Sequence, residues 1–142
     1  MHVAVDSVNH WLSGRVPGMA LDEDHVAALS RADGTVIVIE VEPAAGIVHL
    51  SSVVCPMPED SPEDALFAAL QLNRFGRALG GCWLAWDDGL QVFLLCHNSA
   101  IRYLDELGFN HTLDNFLSAV HAARQVLAPP VAQDLSAAMA TA

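Results

Sequence analysis

SPEDALFAALQLNRFGRALGGCWLAWDDGLQVFLLC, residues 61 to 96, holds one helix and one hairpin, and its reading decides the fold. Ser61 can cap a helix, Pro62 suits its first position, and Glu63 and Asp64 set carboxylates where the exposed N–H groups and the dipole favour negative charge. Gly76, just after Phe75, is the natural stop. Between those ends Ala65, Leu66, Phe67, Ala68, Ala69, Leu70 and Leu72 cover nearly the whole circumference. Such a helix needs burial on two sides, one against its own sheet and the other against a second subunit. After Gly80-Gly81, two β-prone runs, Cys82 to Trp86 and Leu90 to Cys96, flank Asp87-Asp88-Gly89. This predicts a hairpin in which Gly89 takes the positive φ of a tight turn.

A chain of 142 residues is most simply one domain with a real core. Its hydrophobic fraction of 53% beside only 16% charged residues leaves apolar surface for partners. With 17 acidic residues against 6 basic ones, the net charge of −11 and pI near 4.7 argue against nucleic acid and anionic membrane surfaces. Cys55, Cys82 and Cys96 are an odd set without C-x-x-C spacing, which reads as reduced thiols and not as a disulfide framework or zinc site. The first residues lack a basic n-region and carry Asp6, and no apolar run reaches membrane-spanning length, so a soluble intracellular protein is expected.

Outward from the central stretch, Val3 to Leu12 has the spacing of a short amphipathic helix ended by Gly14, Pro17 and Gly18. His25 to Leu29, Thr35 to Glu42 and Gly46 to Val54 read as a three-stranded meander. In the second of these strands Ile37, Ile39 and Val41 share one face, while Val36 and Val38 share the other with Glu40 and Glu42. Cys55-Pro56-Met57-Pro58 breaks the sheet before the central helix. Past the hairpin, Ser99 to Leu107 reads as a helical turn closed by Gly108, and Thr112 to Leu127 as a helix stopped by Ala128-Pro129-Pro130. The predicted order is α-β-β-β-α-β-β-α, an α+β antiparallel sheet with helices packed on it. Residues 1–128 form the domain and residues 129–142 an Ala-rich, frayed tail.

No catalytic constellation emerges. None of the seven histidines stands at a recognised ligand spacing, and Cys96 and His97, as strand neighbours, point to opposite faces. R-F-G-R-A-L-G-G lacks the Lys-Ser/Thr of a phosphate loop and follows a helix instead of opening one. Asp22-Glu23-Asp24 has no EF-hand spacing, and no serine lies in a G-x-S-x-G context. A non-enzymatic protein without metal or cofactor is expected.

Leu70-Gln71-Leu72-Asn73-Arg74-Phe75-Gly76, then Gly80-Gly81, a hydrophobic strand and Asp87-Asp88-Gly89, resembles the "L-N-x-F-G … G-G … D-x-x-G" middle of the class I type III secretion chaperones, the Tir chaperone family. Pro17 to Asp24 is similar to the family's "G-L-P-x-L-x-L-D-E-x-G" segment, with His25 standing where the family often has glycine. The resemblance spans roughly residues 3 to 127. It implies a homodimeric, ATP-independent chaperone of the bacterial cytoplasm that keeps an N-proximal effector segment extended and export-competent, with the secretion-apparatus ATPase as a further partner. The central helix and following strand, through Leu66, Phe67, Leu70, Trp83 and Ala85, are then the dimer interface. Apolar grooves for the effector would involve Val8, Trp11, Leu12, Val36 and Val38, and on the last helix Leu113 and Leu117. Which face of the second strand is open stays undecided, and Ile37, Ile39 and Val41 can exchange roles with Val36 and Val38. A dimeric adaptor binding a folded partner and a small enzyme whose residues converge only in three dimensions are the competing readings.

Overall fold

The computed structural model describes residues 2–74 and 77–128. Helix α1 (Val3–Arg15) precedes strands β1 (Val26–Ser30), β2 (Val36–Glu42) and β3 (Ile47–Pro56). Helix α2 (Pro62–Leu72), strands β4 (Trp83–Asp87) and β5 (Val92–Ala100), a 3-10 turn (Ile101–Tyr103) and helix α3 (Glu106–Leu127) complete the order. The five strands form one antiparallel sheet in the order β1-β2-β3-β5-β4, so the meander and the hairpin join where β3 meets β5. The α+β class and element order follow the sequence reading; the stop at Phe75-Gly76 and the tail of residues 129–142 lie outside the described residues.

The core lies on one face of the sheet. Helix α3 buries Phe109, Leu113, Phe116, Leu117, Val120, Ala123 and Leu127, a stripe at helical spacing. Helix α1 adds Val8, Trp11 and Leu12, with the Trp11 ring 5.4 Å from that of Phe109. Beneath them lie Ile37, Ile39, Val41, Val48, Leu50 and Leu95. The inward face of β2 is thus the Ile37, Ile39 and Val41 face.

Several boundaries differ from expectation. Helix α1 runs through Gly14 to Arg15, whose guanidinium meets Asp114 at 2.7 Å and Asn110 at 3.0 Å on α3. Strand β3 continues through Cys55 and Pro56, because its pairing with β2 ends at Ser51 while its pairing with β5 continues to Pro56↔Val92. A proline is tolerated where one side of the strand needs no donor. Ser99 and Ala100 extend β5, since Val48 and Ile47 face them across the ladder. Helix α3 begins at Glu106, six residues before Thr112, with Asp105 accepting the Gly108 N–H at 2.7 Å, so Gly108 lies within the first turn. Ser61 makes no side-chain cap bond. In the hairpin turn the positive φ falls on Gln91 at 57° and not on Gly89, with the Gln91 side chain donating to Asp88. His25 has a φ of 64°, the backbone region that glycine occupies without strain.

A bulge between Val53 and Cys55 interrupts the β3–β5 register and frees backbone carbonyls. Arg124 of α3 satisfies them, donating from Nε to Val54 at 3.1 Å and from Nη2 to Val53 at 3.0 Å. Its Nη1 donates to the hydroxyl of fully buried Thr35 at 2.6 Å. Arg124→Ala is expected to lower the unfolding free energy by about 2–3 kcal/mol in urea titrations, since it strands all three acceptors.

Candidate protein-binding surfaces

The second face of the sheet carries no helix among the described residues. Alternation sends Val36, Val38, Glu40 and Glu42 of β2 to that face, and the register aligns Val38, Ser51, Cys96 and Trp83 in one row across four strands. Val36, Val38, Val53, Leu94, Leu90 and Pro56 line a groove of about 550 Å³ here. Further along, Glu40, Glu42, His49, Trp83 and Cys96 line another of about 480 Å³, with His49 3.2 Å from Glu42. One stretch of this face is therefore apolar and the next acidic.

A third groove, about 580 Å³, runs between the N-terminal half of α1 and the sheet's end. Val3, Ala4, Trp11, Ile47 and Leu104 make it apolar, and Arg102 is a cation at its lining. Beside it the outer edge of β1 is partly open. Because His25 bonds to Val41 of β2 and Arg31 to Thr35 just before it, alternation turns the N–H and C=O of Val26, Ala28 and Ser30 outward. Asp22 satisfies both groups of Val26, through its own N–H and its carboxylate, whereas those of Ala28 and Ser30 meet no partner among the described residues.

Helix α2 turns only Ala65 and Ala69 into the core. Its other side presents Leu66, Phe67 and Leu70 at 43%, 66% and 68% exposure, next to partly exposed Trp83 and Ala85 of β4. Burial on two sides does not hold within one chain, and of the five residues predicted for a dimer interface four are exposed and Ala85 is half-buried.

The predicted effector-binding residues divide. Val36 and Val38 lie on the open face and line its apolar groove. Val8, Leu12 and Leu113 are fully buried between the helices and the sheet, so they offer no surface, a correction that follows from their place on the core stripes of α1 and α3. Trp11 reaches the surface only as part of the α1 groove, and Leu117 only in a crevice of about 210 Å³ beside β1. Val53, Leu94 and Ile47 were missed; the alternation of β3 and β5 was the signal, obscured because Val53-Val54 and Val92 to Leu95 are apolar on both faces.

Among the described residues no group of histidine, cysteine and acidic side chains is arranged to hold a metal, and no helix is long and apolar enough to cross a membrane. All three thiols are free. Burial, and then the neighbouring Cys96, push the Cys82 thiol up to about 11, while burial raises Cys55 and Cys96. Such thiols stay protonated in the fold after unfolded ones, near 8.5, have ionised. Their contribution is fully present below that value and is lost as pH rises through the folded values. The chain has no lysine and one tyrosine, so few other groups titrate there. Urea midpoints are expected to fall between about pH 9 and 11, with a shallower fall in Cys82→Ala.

The sequence model of the Tir chaperone protein (CesT) family matches residues 13–124. No curated protein matches the chain in sequence. Among solved structures, the chain is similar to one in the ExsC–ExsE complex, with a TM-score of 0.75, 18% identity, and coverage of 89% of this chain and 97% of that one. A chain of the HopA1–SchA chaperone–effector complex gives 0.68 at 12% identity, covering 84% and 91%. One from the ExoU–SpcU complex of the Pseudomonas aeruginosa type III secretion system gives 0.67 at 22% identity, covering 86% and 98%. At these identities the structural likeness concerns the fold.

Proposed function

Since this chain belongs to the Tir chaperone protein (CesT) family, we propose that it is a non-enzymatic, ATP-independent type III secretion chaperone of the bacterial cytoplasm. It binds the N-proximal segment of a secreted effector as a homodimer and keeps it export-competent. The observation that carries this reading is the amount of apolar surface left uncovered by a complete core: the open sheet face, the α1 groove and α2. An enzyme of this size would concentrate polar groups in one cleft, whereas these surfaces are long, shallow and mostly aliphatic. They suit an extended chain that contributes alternate apolar side chains. The open groups of Ala28 and Ser30 add a place where such a chain can pair as a strand beside the α1 groove. The net charge of −11 keeps the exposed apolar surface soluble and favours a basic cargo.

Self-association is assigned to α2 and β4. Light scattering of the wild type at micromolar concentration is expected to give twice the 15.2 kDa chain mass. Leu70→Asp places an unpaired charge in that contact and is expected to give a folded monomer. A monomeric wild type would end the dimer reading.

Effector capture is assigned to the other surfaces. Val38→Asp leaves a carboxylate on a solvated face, so circular dichroism and dimer mass should be unchanged. Pull-down of the co-purifying effector should weaken by roughly tenfold to a hundredfold, the worth of one buried valine. Unchanged capture would remove the open sheet face from the binding site. A folded regulator co-purifying in place of an unfolded effector segment would favour the adaptor reading.

A further inference from the structure

Asn73 follows the last residue of α2 and reaches across to β4. Its Nδ2 donates to the Leu84 carbonyl at 3.0 Å, and its Oδ1 accepts the Leu84 N–H at 2.7 Å. One carboxamide thus meets both backbone groups of one strand residue, the donor and acceptor pair that a neighbouring strand would supply. β5 occupies the other side of β4, with Leu84 opposite Leu95, so these bonds lie on the strand's outer edge.

Among the described residues the apolar packing that holds α2 at this edge is slight. The helix buries only two alanines, with Ala68 and Leu72 packed partly against the core. Methyl groups slide with little penalty, but a two-point bond to a strand fixes both distance and register. The clamp sits immediately beyond the helix that carries Leu66, Phe67 and Leu70 and on the strand that carries Trp83 and Ala85.

We propose that Asn73 is the positioning residue of the self-association surface. Its carboxamide takes the place of a sixth strand against Leu84, which joins α2 and β4 into one rigid plate and closes that edge to strand pairing. Two copies then meet through the side chains of α2 and β4 and not by continuing the sheet across Leu84. The proposal rests on the reading of α2 and β4 as the dimer surface.

The test uses the full chain with Asn73→Leu and Asn73→Asp. Asn73→Leu removes both bonds while keeping bulk. It is expected to raise the dimer dissociation constant roughly tenfold or more in sedimentation equilibrium and to speed hydrogen exchange at the Leu84 amide. In Asn73→Asp the carboxylate still accepts the Leu84 N–H but repels the Leu84 carbonyl, which raises its pKa above the ordinary carboxylate range. Protonation restores a donor, so dimer affinity relative to wild type at the same pH is expected to recover as pH falls through that value. A side chain that merely filled space would show no such recovery. Dimeric wild type with Asn73→Asp matching it at every pH overturns the role of Asn73 alone. A monomeric wild type overturns the dimer reading together with it. If Asn73→Leu fails to fold, the pH profile of Asn73→Asp decides.

Discussion

The width of the sheet constrains everything packed on it. Five strands at a spacing of ~4.8 Å make a sheet roughly 19 Å across. Two helices, each about 10 Å wide, cover one face of that width, and α1 and α3 do so. A third helix has no inner face left to occupy. Helix α2 therefore packs beside α3 and against edge strand β4, burying alanines where α3 buries phenylalanines and leucines. Its exposed Leu66, Phe67 and Leu70 are a consequence of that geometry, as is the uncovered outer face with Val36, Val38 and Val53.

Where a strand ladder ends or is interrupted, paired polar bonds fix the arrangement. Asn73 holds the end of α2 to Leu84, Asp22 closes the start of β1 at Val26, and Arg124 bridges the β3 bulge to Thr35. Each offers a backbone group the partner that a regular ladder would have given it. The two strand edges are consequently treated differently: α2 and the Asn73 carboxamide stand against β4 at Leu84, while among the described residues nothing pairs with β1 at Ala28 and Ser30.

Much of this architecture was legible in the chain because its signals are local. Alternation in Val36 to Glu42, the apolar stripe after Thr112, and Asp-Gly in the hairpin each declare an element from a few neighbours. What was not legible depends on partners distant in sequence. Ser99 and Ala100 extend as strand because Val48 and Ile47 pair with them, and Pro56 remains in β3 because β2 has already ended. The start of α3 was legible in retrospect from Asp105 with Glu106 behind it, but Gly108 suggested an end. Periodicity found the core faces of α1 and α3 but could not separate core from groove: Val8, Leu12 and Leu113 have the spacing of either. His25 is a different case, a non-glycine residue held at a φ of 64° that no local pattern declares.

The separation of surfaces gives the proposed function a physical basis. A chaperone that must release its cargo cannot bury so much apolar area in one contact that dissociation becomes slow. Several shallow grooves, each lined by a few aliphatic side chains, distribute the contact along an extended segment that detaches in parts. Self-association has the opposite requirement and calls for one fixed surface, which a helix clamped to a strand provides. The α1 groove and the outer sheet face draw on α1, β2, β3 and β5, whereas Leu66, Phe67 and Leu70 sit on α2. Trp83 belongs to both descriptions, on the strand proposed for self-association and lining the acidic groove with Glu40 and Glu42. On the proposed reading, the acidic groove and the self-association surface therefore share this one side chain.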